Sequence, residues 1–223
     1  LLLAAGWKAA QGFKALVGGE ALPRDLAEQL IAQGVELWNM YGPTETTVWS
    51  TCARITDTSN GITIGKPIAN TTVYILDAHK NLCPIGVPGE LCIGGDGVTL
   101  GYWNRPELTA ARFIADPFSA TEGARLYRTG DRARWRADGM LEHLGRLDFQ
   151  VKVRGYRIEL GEIETVIAQH AAVKEVVVIV REDVPGDQRL VAYLVAENPP
   201  ADLIEPLRAQ LRKGLPDYMV PSA

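Results

Sequence analysis

The stretch FKALVGGEALPRDLAEQLIAQGVELWNMYG, residues 13–42, alternates strand-like and helix-like segments. FKALVGGEAL is a short apolar run ending in glycines, DLAEQLIAQG has the spacing of an amphipathic helix that stops at Gly34, and VELWNMYG is again strand-like. Asp25 lies just ahead of the apolar helix positions, with Glu28 three residues on, so we expect it to cap the helix. This order predicts an α/β layer over residues 1–58 with a mostly parallel sheet.

Residues 59–147 show a different sequence pattern. Short alternating runs are separated by turns rich in Gly and Pro; the runs are TTVYILD, GELCIGG, LYRTGDRARW and MLEHLGR. Such spacing is typical of antiparallel strands. It predicts a distorted, barrel-like β unit after the α/β layer.

Residues 148–223 show a third sequence pattern, in which strands and helices are both predicted. QVKVRGYRIEL predicts two strands that turn at Gly155, and GEIETVIAQHAAV predicts a helix. KEVVVIVRED and QRLVAYLVAE predict two strands joined by the turn VPGD, and ADLIEPLRAQLRKG predicts a second helix with an irregularity at Pro206. The predicted fold class is therefore α/β and β up to residue 147, followed by a small α+β subdomain.

The composition is that of a soluble globular protein, with 47% hydrophobic and 22% charged residues among 223. A net charge of -4 argues against nucleic acid or an anionic membrane as the main partner. No stretch approaches the roughly 20 apolar residues of a membrane span. Cys52, Cys83 and Cys92 have no CxxC spacing, and we expect them to be reduced thiols in a cytoplasmic protein.

The loop NMYGPTETTVWS, residues 39–50, carries the first candidate site. A tyrosine ring offers a flat surface for a purine, and Asn39 offers both a donor and an acceptor for a base edge. Thr44 and Glu45 supply the hard oxygens that Mg²⁺ and a phosphate chain require. By composition alone, a turn with a buried tyrosine and a solvated glutamate is the more economical interpretation.

Two further segments carry candidate residues. Asp131 follows a Thr-Gly turn at a strand end, where a carboxylate could accept the two hydroxyls of a ribose. An aspartate at a turn more commonly bonds its own backbone. The segment GRLDFQVKVRGYRIELGEIE is charged, and a charge run taken alone is usually a solvated face.

Five motifs follow one another along the chain: NMYGPTE, GELCIGGDGVTLGYWNRPELTAARF, YRTGD, GRLDFQVKVRGYRIELGEIE and LPDYMVP. Their order and spacing resemble the signature motifs of adenylation domains of nonribosomal peptide synthetases, within the wider adenylate-forming, AMP-binding enzymes. The resemblance runs from Gly18 to Pro221 and covers the C-terminal part of the core and most of the small subdomain. In that family, an amino acid and Mg·ATP give an aminoacyl adenylate and pyrophosphate. The acyl group then passes to the phosphopantetheine thiol of a carrier protein.

The resemblance implies roles for individual residues. Tyr41 would stack on the adenine, Asn39 would contact its edge, and Gly42 belongs to the same nucleotide-binding motif. Thr44 and Glu45 would face the phosphates and the magnesium ion. ATP, Mg²⁺ and a carrier-borne phosphopantetheine are the implied cofactors.

The resemblance extends to the segment after residue 130. Asp131 would hold the ribose hydroxyls, and Arg146 would reach the ribose or the phosphates. Asp148 would be the hinge of the mobile subdomain, and Gly155 would line the approach of the thiol. The catalytic set so implied is Thr44, Glu45, Asp131 and Arg146.

The family's side-chain pocket would be lined here by Leu16, Gly18, Met40, Val48 and Trp49. Met40 and Trp49 are bulky and would fill the space that a large substrate needs. The set therefore favours glycine, with alanine next, because one methyl in an apolar pocket changes binding by only about 1–3 kcal/mol. Alternatively, Trp49 points into the core, as most tryptophans do.

Two parts of the family pattern do not occur in the chain: the phosphate loop with the aspartate-bearing motif for the substrate ammonium, and the catalytic lysine after LPDYMVPSA. We therefore expect the chain to be a fragment that is inactive alone. The intact parent would work with an amino acid substrate, a peptidyl carrier domain and a condensation domain. Two alternatives remain open: an acyl- or aryl-CoA synthetase of the same superfamily, and a non-catalytic nucleotide or carrier-protein binding module.

Overall fold

A computed structural model describes residues 2–184, 187–197 and 202–223. The chain divides into two compact units, Leu1–Asp148 and Phe149–Ala223. Pro185 and Gly186 of the predicted turn and Ala201 at the start of the predicted last helix lie outside the described residues.

The first unit begins with a four-stranded sheet and one helix. The elements are β1 (Lys14–Gly18), α1 (Arg24–Ala32), β2 (Glu36–Tyr41), β3 (Thr51–Ile55) and β4 (Lys66–Pro67). The strand order is β1-β2-β3-β4; only β1 and β2 are parallel, and the other pairs are antiparallel. The predicted mostly parallel sheet is therefore wrong. The connection from β2 to β3 spans only residues 42–50, whereas a parallel return needs a crossover of about a dozen residues or more.

Helix α1 covers one face of this sheet through Ala27 and Leu30, which pack with Leu37 in a common core. Its predicted cap is wrong, because the helix begins one residue before Asp25 and its N-cap position is occupied by Pro23. Gly34, with φ of +75°, follows the helix end as predicted, since a left-handed residue there terminates a helix.

The second part of the first unit is an antiparallel sheet. Its elements are β5 (Thr71–Leu76), β6 (Gly89–Gly95), α2 (Pro106–Arg112), β7 (Phe113–Ala115), β8 (Arg125–Trp135) and β9 (Leu141–Arg146). The strands are ordered β5-β6-β8-β7, and β9 also pairs with β8. Alternating side chains of Ile75, Leu91, Ile93 and Leu141 form its core. The predicted antiparallel β unit is confirmed, as an open sheet rather than a closed barrel over the residues described.

The second unit is a small α+β structure, as predicted. Its elements are β10 (Gln150–Val153), β11 (Tyr156–Glu159), α3 (Leu160–Ala168), β12 (Val173–Glu182), β13 (Gln188–Ala196) and α4 (Ile204–Gly214). Ile158, Ile163, Val178 and Leu211 share one core. Pro206 lies in the first turn of α4, where a missing N–H breaks no helical bond, so the predicted irregularity is wrong.

The three cysteines are free thiols. Across the described ranges, no helix combines the length and apolar character required to cross a bilayer.

Candidate active site

Asp131 lies at an irregularity of β8. The pairing of β8 shifts register with β6 next to Glu90 and with β9 next to Asp131. Gly130 has a φ of +73°, a left-handed conformation that few other residues adopt. Thr129 fixes the local geometry, because its hydroxyl accepts the Asp131 N–H at 2.9 Å and donates to the Leu91 carbonyl at 2.7 Å.

Three side chains, one from β2 and two from β9, converge on the Asp131 carboxylate. The Tyr41 hydroxyl donates to Oδ2 at 2.5 Å, and Nη1 of Arg146 donates to Oδ1 at 3.0 Å. Nε2 of His143 lies 3.3 Å from the same Oδ1. Asp131 is only 7% exposed. Burial opposes its charge, but the hydrogen bonds from His143 and Tyr41 and the nearby positive charge outweigh burial and lower the pKa of Asp131.

Arg146 joins two carboxylates. Its Nε and Nη2 donate to Asp148 at 2.8 and 2.6 Å, and its Nη1 also donates to the Thr129 carbonyl at 2.9 Å. Although burial acts against it, the pKa of Arg146 is raised by these partners. The ion pair lies directly over Gly130, where a Cβ would come within 2.8 Å of Nη2. Glycine at this position suits both the left-handed backbone and the close approach of the guanidinium.

The Tyr41 ring lies at the end of β2 and packs on the core of the antiparallel sheet. Burial, followed by the negative charge of Asp131, raises the pKa of Tyr41 well above its ordinary value. The phenol therefore remains a proton donor. This hydrogen bond joins residues 90 positions apart in the sequence.

The loop of residues 42–50 folds back tightly on itself. A Cβ on Gly42 would lie 2.5 Å from the Val48 carbonyl oxygen and 2.7 Å from the Ser50 nitrogen, so only glycine fits there. Thr47 and Val48 both have positive φ, 60° and 70°. A β-branched residue in this region is a genuine outlier, and such strain concentrates at functional sites.

Glu45 is held inside this loop. It is only 8% exposed, and its carboxylate accepts the hydroxyl of Tyr102 at 2.6 Å. Burial, followed by this hydrogen bond, raises the pKa of Tyr102, which keeps the phenol a donor. Thr44, in the same single turn of 3₁₀ helix, is exposed. A buried carboxylate beside an exposed hydroxyl fits Mg²⁺, which takes one or two protein carboxylates together with substrate phosphates.

Three of the predicted pocket residues lie on the sheet face opposite α1. Gly18 of β1 pairs with Met40 of β2, so their side positions share a face, and Leu16 is on the same side of β1. A Cβ on Gly18 would lie 2.5 Å from Cζ3 of Trp49. Trp49 is 37% exposed and belongs to no buried core cluster of the described residues, so the alternative that it points into the core is wrong.

Two predicted residues of the first unit, Asn39 and Val48, lie outside the hydrogen-bonded Asp131 cluster. Asn39 is buried, and its Nδ2 donates to the Thr63 carbonyl at 2.8 Å, so its contact with an adenine edge stays a prediction. Val48 is exposed on the loop surface.

In the second unit, Gly155 and Arg154 both have positive φ and form the turn between β10 and β11. A Cβ on Gly155 would meet no atom within 4 Å.

The sequence did not predict two residues of these clusters, His143 and Tyr102. Strict alternation would put His143 and Arg146 on opposite faces of β9, and only the register shift lets both approach Asp131. Tyr102 lies 57 residues after its partner Glu45, inside the quoted GYWNRPE segment. The sequence shows this tyrosine next to a glycine, but nothing local in the sequence indicates that Glu45 is its partner.

Comparison with known proteins identifies the family of the chain. A family model described as AMP-binding enzyme matches residues 4–103, and one described as AMP-binding enzyme C-terminal domain matches residues 162–223. Dimodular nonribosomal peptide synthase of Bacillus subtilis (strain 168) is 53% identical over 96% of this chain, which spans 9% of its length. Tyrocidine synthase 3 of Brevibacillus parabrevis is 55% identical over 93% of this chain, which spans 3% of its length. The chain thus corresponds to a small part of each of these two relatives.

Solved structures agree. Holo-AB3403, a four-domain nonribosomal peptide synthetase bound to AMP and glycine, is 53% identical over 100% of this chain and 16% of its own, with a TM-score of 0.62. PA1221, a protein with adenylation and PCP domains, is 33% identical over 94% of this chain and 42% of its own, with a TM-score of 0.81. The chain therefore belongs to the AMP-binding enzymes, as a segment of an adenylation domain of the nonribosomal peptide synthetase type.

Proposed function

We propose that the protein carrying this chain activates a small amino acid, forming an aminoacyl adenylate and pyrophosphate from ATP. The observation that carries this proposal is the convergence of Tyr41, Asp131 and Arg146 in one hydrogen-bonded cluster. A buried, ionised carboxylate with fixed orientation is the acceptor that a ribose diol needs. Tyr41 would add a ring face for the adenine.

The chemistry requires positioning more than a protein nucleophile. The substrate carboxylate attacks the α-phosphate in line, and the bound groups must hold that geometry and neutralise charge. Glu45 and Thr44 would hold Mg²⁺, which would supply charge neutralisation at the phosphates. Arg146 already engages Asp131, Asp148 and the Thr129 carbonyl, which favours the ribose end over the phosphates as its place of action.

The pocket face supports glycine as the substrate, with alanine next. The Trp49 ring covers Gly18, and Met40 flanks it on the paired strand. A substrate side chain at this face would compete with the indole for space. Holo-AB3403, which is similar to this chain over the chain's whole length, was solved bound to glycine.

The second half-reaction would load the amino acid onto the phosphopantetheine thiol of a carrier domain. PA1221 combines an adenylation domain with a PCP domain, which supports such a partner. A condensation domain in the same parent chain would use the product. Asp148 would act as the hinge of the C-terminal subdomain, and Gly155 would line the thiol's path. The free thiols suit a cytoplasmic enzyme.

Amino-acid-dependent ATP–pyrophosphate exchange by the intact parent protein tests the proposal. We expect exchange with glycine, weaker exchange with alanine, and little with larger amino acids. A preference for a large aromatic amino acid would refute the pocket assignment. Exchange only with carboxylates that lack an amine would refute amino acid activation and favour an acyl- or aryl-CoA synthetase.

A further inference from the structure

Both ring nitrogens of His143 make contacts within the Asp131 cluster. Its Nδ1 accepts the backbone N–H of Gly145 at 3.3 Å, and its Nε2 lies 3.3 Å from Oδ1 of Asp131. An imidazole nitrogen that accepts a hydrogen bond leaves the proton on the other nitrogen. The Gly145 contact therefore selects the tautomer in which Nε2–H donates to Asp131.

The other two side chains that donate to Asp131, those of Arg146 and Tyr41, do not donate to Oδ1 alone. Arg146 directs Nε and Nη2 to Asp148 and divides Nη1 between the Thr129 carbonyl and Oδ1 of Asp131. Tyr41 binds only the opposite oxygen, Oδ2. The carboxylate can turn about its Cβ–Cγ bond where the donor to Oδ1 is shared with another acceptor, as Nη1 of Arg146 is. A second donor that has no other acceptor at Oδ1 therefore helps to fix the carboxylate plane.

We propose that His143 is a positioning residue for nucleotide recognition, whose Nε2–H holds the Asp131 carboxylate in the orientation that accepts the vicinal hydroxyls of the ATP ribose. This inference rests on the proposed ribose role of Asp131. It extends that role to a residue outside the motif positions matched above.

A purely structural role for His143 is the competing account. Its ring centroid lies 5.9 Å from that of Tyr41, so the imidazole also fills space beside the cluster. Two substitutions separate the accounts. His143→Leu keeps apolar bulk and removes the donor, whereas His143→Gln keeps an amide N–H near the position of Nε2.

The experiment measures, by calorimetry on the intact parent protein, the dissociation constants of ATP and of 2′,3′-dideoxy-ATP. The dideoxy nucleotide lacks both hydroxyls that Asp131 would bind. Asp131→Asn serves as the reference for a lost ribose contact. His79→Leu removes a histidine from an exposed turn of the same unit and is the matched control.

We expect His143→Leu to weaken ATP binding by about five- to tenfold, which is the size of one typical net hydrogen bond. The same substitution should change dideoxy-ATP binding by less than about twofold. His143→Gln should restore most of the ATP affinity, and His79→Leu should leave both constants unchanged. Equal weakening of both nucleotides by His143→Leu, or no weakening of either, overturns the inference.

The reference variant Asp131→Asn distinguishes a failure of the proposed ribose role of Asp131 from a failure of the proposed positioning role of His143. If Asp131→Asn still discriminates between the nucleotides as the unaltered protein does, the ribose role itself is wrong. If Asp131→Asn loses discrimination while His143→Leu retains it, the ribose role stands and the positioning role of His143 falls.

Discussion

The ring of Trp49 lies against the backbone of Gly18. A Cβ at position 18 would stand 2.5 Å from Cζ3 and 2.7 Å from Cη2 of the indole, and 2.6 Å from the Met40 carbonyl oxygen. The indole can occupy this place only because residue 18 has no side chain. The two residues together therefore set the floor of the proposed substrate pocket.

Trp49→Ala should enlarge that pocket. We expect the ratio of kcat/KM for alanine to that for glycine to rise about tenfold or more, because the space vacated by the ring can accept a methyl group. Pyrophosphate exchange with each amino acid by the parent protein measures the ratio. Trp103→Ala, which removes a tryptophan that is 90% exposed, is the control. An unchanged ratio in Trp49→Ala would show that the indole does not limit substrate size.

Tyr102→Phe tests the support of Glu45. The substitution removes the hydroxyl that donates to the carboxylate at 2.6 Å, so Glu45 loses its fixed orientation. We expect the magnesium concentration for half-maximal exchange to rise about fivefold or more, with a smaller effect on KM for the amino acid. Tyr74→Phe is the matched control, because the Tyr74 ring packs on Phe118 in another part of the unit. A uniform loss across all substrates would argue against a specific link to the metal site.

The strands were largely predictable from local patterns. GELCIGG coincides with β6, and QVKVRGYRIEL folds as the predicted hairpin, because alternation and a left-handed turn are encoded within a few residues. The strand β3 was not predicted. Thr51 in this strand is polar but fully buried, and its hydroxyl donates to the Ile64 carbonyl at 2.6 Å. The local sequence pattern does not indicate this partner.

The site could be predicted only as a set of residues. The motifs named Tyr41 and Asp131 separately, but the hydrogen bond between them depends on the packing of β2 against the antiparallel sheet. The approach of His143 depends on a register shift, which is set by pairing across strands rather than by the sequence of either one. Long-range pairing is therefore the part that sequence reasoning missed.

Asp131 should stabilise its surroundings in a pH-dependent way. Its pKa is lowered in the folded protein, so the stability it contributes is fully present above the ordinary carboxyl value of about 3.9 and is lost as the pH falls through the lower folded-state value. Hydrogen exchange of the β8 amides in the intact protein, compared with Asp131→Asn at matched pH, measures this contribution. We expect the difference in protection between the two proteins to be constant from pH 7 to about 5 and to shrink at lower pH. A difference that grows on acidification would contradict the direction of the shift.

Asp148→Pro and Asp148→Ala separate two roles of one residue. Both remove the carboxylate that receives the Arg146 guanidinium at 2.8 and 2.6 Å, so both should slow adenylation modestly, by about fivefold, through a less well-held Arg146.

Proline also fixes φ near −65° at the last residue of the first unit, which a hinge could not tolerate. We therefore expect thioester formation to fall about tenfold further in Asp148→Pro than in Asp148→Ala, with similar adenylation in both. Pyrophosphate exchange reports the first step, and loading of radiolabelled amino acid onto the carrier domain reports the second. If the two variants load the carrier equally well, Asp148 serves Arg146 alone and the hinge assignment fails.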